Sequence, residues 1–296
     1  MKVQQALLIV FISLWSAAAR ESRLCGSEPD LFTQLSEQGL SLGEQATWKL
    51  PGPTLAQDQS PEQRNAALET LAGKQGWARF ARNSIMAPVA VDIEALQDKQ
   101  GNRWGHDIHT AFMVHADLQQ FRQEDLLEQL LGPPPTLEDP STGGIEALSA
   151  EELRAVGISL PADSNESYVY IELPLLNKII VRGVLHLAQR ERAGAYEVAW
   201  QLDPRFSAVE KYAPRWHKLE RNAVGRPTEG PAHPYLGLAG RVGVYQLDTA
   251  PSQLLVESRM LLREPEAWFA GSQFLRSKLP LSVQENARRL RRKLAP

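Results

Sequence analysis

Few residues in this chain have the types and spacing that chemistry needs. Three histidines, His106, His109 and His115, fall in one short stretch, and clustered imidazoles can hold a transition metal. On a strand, however, His109 and His115 project to one face about 20 Å apart at ~3.3 Å per residue, while His106 points to the other face. They would share no ion, so no metal is expected. Arg182 and His186 share a strand face, and Glu197 stands across the following hairpin as a carboxylate that could orient the imidazole for general acid–base work. That face is opposite the one carrying Val181 and Leu185, so it is expected to be the solvated side of the sheet, which argues against catalysis. The chain has no G-x-S-x-G elbow, no phosphate loop and no H-E-x-x-H motif. Gly237, Gly240 and Gly243 recur at a spacing that is not the dinucleotide fingerprint. No catalytic residue and no cofactor are expected. Asn165-Glu166-Ser167 is a glycosylation sequon, meaningful only if a eukaryote secretes the protein.

The elements that must position these residues begin after a leader. Lys2, the apolar run Ala6 to Trp15 and the small residues Ser16-Ala17-Ala18-Ala19 give the three regions of a cleavable signal peptide, residues 1–19. The apolar run is well short of the ~20 residues that a spanning helix needs. A secreted or periplasmic protein, soluble once matured, is therefore expected. Cys25 is the only cysteine, so there is no internal disulfide and the fold must be held by its core. Arg23-Leu24-Cys25 lacks the small residue of a lipidation signal, leaving a free or intermolecularly paired thiol. A net charge of −3 gives no general electrostatic case for nucleic acid.

Residues 20–70 read as an N-terminal extension, with helical spacing over 31–50 and a short helix opened by Ser60 and Pro61. Residues 71–296 read as the main domain. Alternation over 87–116, broken by a turn at 98–102, predicts a hairpin. A helix follows over 118–131, stopped by Gly132 and Pro133, and another starts at Ser149, with Glu152 completing a capping box. Strands are expected over 168–173, 178–189, 195–202, 240–247 and 254–262, with a long loop holding one helical turn over 204–239. The chain ends in a helix opened by Pro265, whose apolar stripe runs through Trp268, Gly271, Leu275, Leu279, Val283, Ala287, Leu290 and Leu294 and continues past Pro280.

This order resembles the START and polyketide-cyclase-like (SRPBCC) superfamily across 76–296. The nearest sequence echoes are Gly76-Trp77-Ala78-Arg79-Phe80, Ala116-Asp117-Leu118 and Leu261 to Trp268. The resemblance implies an α+β helix-grip fold, a curved antiparallel sheet wrapped around the last helix. It also implies a lipid, sterol or polyketide ligand in the gap between them. Independently, a helix with one apolar stripe must bury it, and an antiparallel sheet with one apolar face is its natural partner. The period-2 rule puts Val181, Leu185, Tyr196, Val198, Trp200, Leu202, Leu254, Val256 and Met260 on that face, and the helix adds Trp268 and Leu275. These residues line a hydrophobic ligand cavity if a gap is left, and simply fill the core if not.

The leading expectation is an exported, non-enzymatic carrier or sensor of a hydrophobic small molecule. The alternatives are a cyclase- or hydrolase-type enzyme using the same cavity and an interaction module with a solid core. Arg288, Arg289 and Arg292 beside the apolar stripe could touch an anionic membrane, although cations also suit any helix C-terminus.

Overall fold

The computed structural model describes residues 30–41, 47–122, 144–161, 164–176, 178–221, 227–248, 250–265, 268 and 274–294. The leader, Cys25, Gly271 and most of the helix expected over 118–131 lie outside them.

Alternating β-branched and aromatic residues build an antiparallel sheet. Its strands are β3 (Val89–Gln97), β4 (Arg103–His115), β5 (Gly144–Ala147), β6 (Glu166–Leu175), β7 (Ile179–Arg192), β8 (Ala195–Leu202), β12 (Leu238–Leu247) and β13 (Ala250–Arg263). They lie in the order β5-β6-β7-β8-β12-β13-β4-β3. The chain forms the β3–β4 hairpin, crosses to the far edge at β5, and returns strand by strand until β13 pairs with β4. The final helix α5 (Phe274–Leu294) runs through Pro280 and lies closest to β3 and β4.

Period-2 alternation sorts the side chains cleanly. Even positions of β4, β8, β12 and β13, and odd positions of β3, β6 and β7, share one apolar layer with Leu275, Leu279, Val283, Ala287, Leu290 and Leu294 of α5. This is the inner face.

The outer face departs from expectation, because it is covered rather than solvated. The N-terminal segment begins with α1 (Leu31–Thr33), continued by a π-helical turn over Gln34–Gln38. A small ladder follows between β1 (Leu40–Ser41) and β2 (Thr47–Trp48), so the helical spacing read over 31–50 ends at 38. Leu31, Phe32 and Leu35 pack on Ala188, Ala199 and Ala239, whose small side chains let a helix approach the sheet closely. Next, α2 (Pro61–Ala72) opens with the expected Ser60 cap, and Gln63 completes a capping box. Leu68, Ala72 and Phe80 of α2 and α3 (Trp77–Phe80) then cover Ala111, Met113, Tyr245 and Leu255. Beyond them, α4 (Ala150–Ala155), capped by Ser149 and Glu152 as expected, joins Phe206 and Tyr212 over Tyr168, Tyr170 and Val184.

The segment 204–239, expected as a long loop with one helical turn, has that turn but also three strands among its described residues. It holds a 3-10 turn (Pro204–Ala208) and the strands β9 (Arg215–Arg221), β10 (Pro227–Glu229) and β11 (His233–Pro234). β9 pairs with the first residues of β7, whose later residues pair with β8. Its sparse apolar residues Phe206, Tyr212, Trp216 and Tyr235 are all buried, which the surrounding Pro, Gly and charge concealed.

Candidate functional site

The inner face is the first place to look for a site. Val181, Leu185, Tyr196, Val198, Trp200, Leu202, Val256, Met260, Trp268 and Leu275 all belong to its single apolar layer, and all are buried. They come from β7, β8, β13, the residues ahead of α5, and α5 itself. Gly240 sits opposite Trp200 in the β8–β12 register and makes room for its ring. Gly243 does the same for Tyr245 on the outer face, where an added β-carbon would clash with the phenol, standing 2.3 Å from its oxygen. A β-carbon at Gly237 would stand 2.0 Å from Arg263 Cβ, so packing explains all three regularly spaced glycines. Trp268 meets Trp216 edge-on at 5.7 Å and Tyr235 at 5.1 Å, closing one end of the layer with aromatic rings.

Polar groups interrupt this layer, and sequence periodicity did not single them out. Thr110 and Ser258 face each other across β4 and β13 and are buried. Asn286, three residues from Val283 and four from Leu290, lies within the buried side of α5, and its amide nitrogen Nδ2 is buried without a hydrogen-bond partner. Such orphans are uncommon, because a buried polar group without a partner costs roughly 1–3 kcal/mol. The Tyr196 hydroxyl, by contrast, already donates to Gln189 Oε1 at 2.5 Å. At one end of the layer, His106 Nε2 lies 2.7 Å from Glu264 Oε2, and Arg103 donates to the other carboxylate oxygen at 3.1 Å. His106 and Glu264 are both buried, and His106 Nδ1 has no partner.

The other histidines lie elsewhere. His109 Nε2 is 2.9 Å from Glu257 on the outer face, and His115 reaches the carbonyl of Ala81. Each of the three clustered histidines thus has its own partner. Among the described residues no group of three possible ligands gathers as a metal site.

Arg182, His186 and Glu197, weighed above as an acid–base group, do not come together. His186 stands opposite Gln201 in the ladder; it stacks on Tyr168 at 4.7 Å, with Glu166 at 3.2 Å as its carboxylate. Arg182 binds Glu172 and Glu229. Those carboxyls and the burial of the site act on Arg182 in opposite senses, and the Glu229 bond dominates, raising its pKa. Glu197 takes Arg190 and the Tyr245 hydroxyl instead. The sequon nitrogen, Asn165 Nδ2, donates to the carbonyl of Gln189.

A polar network fastens the N-terminal segment across the outer face. Thr54 donates its backbone N–H and its hydroxyl to Glu257 at 3.0 and 2.9 Å. Arg241 donates to the carbonyl of Pro51, and the Trp48 indole donates to Asp107, which also holds Arg259. Burial pushes the Glu257 carboxyl up, but the His109 bond, the charges of Arg241 and His109 and the Thr54 N–H together hold it below the usual carboxylate value. Every oxygen of that carboxylate is engaged with the segment or with His109, so this network acts as a clasp. A small outer cleft of about 140 Å³ lies beside it, lined by Leu55, Arg64, Tyr245 and Asp248 among others, well away from the inner layer.

No family model matches the chain, and no curated protein matches it. Among the described residues no helix is long and apolar enough to cross a membrane.

Proposed function

We propose that the protein is an exported carrier or sensor that holds a hydrophobic small molecule between the inner face of the sheet and α5. The observation that carries this reading is the orphaned amide of Asn286, buried within a predominantly apolar layer. Sites for small apolar ligands combine hydrophobic walls with a few placed polar groups, and an unused donor on the buried side of a helix suits a ligand with one polar substituent. The strand order, in which the strands returning from β5 end at β13 beside β4 of the opening hairpin and a helix comes last, supports a helix-grip arrangement of the START-like kind. Export rests on the leader sequence alone.

The test is native mass spectrometry of the protein purified from its own compartment, followed by organic extraction. A co-purifying apolar molecule is the expected result. Protein that yields no such molecule and binds neither a fluorescent fatty acid nor a sterol would overturn the proposal.

A second reading, an enzyme acting in the same space, is favoured by the His106–Glu264 pair. A carboxylate that fixes one imidazole nitrogen and leaves the other unused is the arrangement of a general base. His106→Gln separates the two. A carrier keeps the chemical identity of its ligand in this variant, whereas an enzyme accumulates substrate in place of product.

A further inference from the structure

The turn that precedes β3 is unusual in composition. The N–H of Ala87 donates to the carbonyl of Ser84 at 3.0 Å, and Ser84 Oγ accepts from the N–H of Met86 at 3.2 Å. Central turn positions ordinarily hold Gly, Pro, Asn, Asp or Ser. Here they hold Ile85 and Met86, which are 38% and 58% exposed. Among the described residues only Leu281 is another large hydrophobic side chain as exposed as these.

This apolar tip is held against the end of α5. Arg291, itself buried, donates to the carbonyls of Ile85, Ala87 and Pro88 at 3.3, 2.6 and 3.1 Å, and to that of Met113 at 2.9 Å. Its neighbours on the helix are Arg288, Arg289, Arg292 and Lys293, and the chain leading into the turn carries the exposed Arg79 and Arg82. Arg288 has Glu285 at 3.7 Å; the remaining cations have no carboxylate within ion-pair distance among the described residues. Partial burial, and then the charge of Arg289, lowers the pKa of Lys293, as expected where cations crowd without counter-charge.

We propose that the Ser84–Ala87 turn and the basic end of α5 form one docking surface for an anionic lipid bilayer, with Ile85 and Met86 entering the headgroup boundary. Cations beside an apolar tip, on α5 and on the chain leading into the turn, complement anionic headgroups and allow the tip to bury. Because Arg291 fixes the turn to the helix, the two parts act together and little ordering entropy is lost on contact. The proposal is independent of the cavity reading, since a protein with a filled core could dock in the same way.

The experiment is co-sedimentation of the purified protein with vesicles of phosphatidylcholine alone, and with vesicles of equal parts phosphatidylcholine and phosphatidylglycerol. Wild type should bind the anionic vesicles about tenfold or more tighter than the neutral ones, from several cations near the surface. The paired variants Ile85→Ser with Met86→Ser, and Arg292→Ser with Lys293→Ser, should each weaken that binding by about fivefold or more. Thermal midpoints should not move, since all four side chains are exposed. Comparing each variant with wild type in the same chain cancels any binding by the leader. Equal binding of the Ile85/Met86 variant and wild type to anionic vesicles overturns the proposal, and so does equal binding of wild type to both vesicle types.

Discussion

Trp200 on β8 lies over Gly240 on β12 so closely that a β-carbon built at Gly240 would stand 2.7 Å from Trp200 Cζ2 and 2.4 Å from the carbonyl oxygen of Arg259. Neither neighbour can give way cheaply, because one is a buried indole and the other is ladder backbone. Gly240→Ala should therefore cost about 1–3 kcal/mol by overpacking, read as a lower urea midpoint with an unchanged slope. An unshifted midpoint would mean that the inner layer is loose at Trp200.

The clasp at Glu257 predicts a definite pH dependence. Its carboxyl is held below the ordinary 4.5 in the native state, so it contributes stability that is complete above about pH 5 and lost as the pH falls through the native value. Glu257→Gln keeps the shape but leaves His109 and Thr54 without the charged acceptor, at a cost near 1–3 kcal/mol at neutral pH. The stability gap between wild type and this variant should narrow as the pH falls below about 5. Urea titrations at a series of pH values would show it, and a gap that stays constant would remove Glu257 as the titrating group.

The phase of α5 can be checked residue by residue. Leu275 is 2% exposed and packs in the inner layer, whereas Arg276 beside it is exposed. Leu275→Ala should cost about 2–5 kcal/mol, and Arg276→Ala under about 0.5 kcal/mol. Matching urea midpoints for the two would be incompatible with this packing.

What could be read in the sequence followed from local physics. Ser60 with Pro61 and Ser149 with Glu152 announced their helices through capping chemistry that needs only neighbouring residues. Alternation assigned Val181, Leu185, Val198 and Met260 to the correct side, because a strand has only two faces. What could not be read depends on partners distant in sequence. Glu257 meets Thr54 across 203 positions, and His106 meets Glu264 across 158. Nothing near Ala188, Ala199 or Ala239 says that a helix from residue 31 onward will cover them, so the outer face looked solvated and His186 looked accessible. Asn286 falls in phase with Val283 and Leu290 on the buried side of α5, a signal that was present but masked by the stronger leucine stripe, whereas the burial of Arg291 depends on carbonyls 204 and 203 positions away.

The most informative substitution lies at Val198. Its side chain is fully buried on the inner face, between Tyr196 and Trp200 on its own strand and beside Val242 of β12 and Gln189 of β7. Replacing it with Trp adds a large rigid ring to the middle of the layer. If a ligand occupies that space, the new indole takes the ligand's place: the fold survives, and binding of a fluorescent fatty acid or sterol is lost. If instead the side chains already fill the layer, the ring has nowhere to go and overpacking lowers stability by about 1–3 kcal/mol. Urea unfolding and probe binding, measured on the same Val198→Trp preparation, distinguish the two. Retained stability with lost binding is the expected outcome. A clear loss of stability, in a protein whose wild type binds no such probe, would make the inner layer a packed core and end the carrier reading.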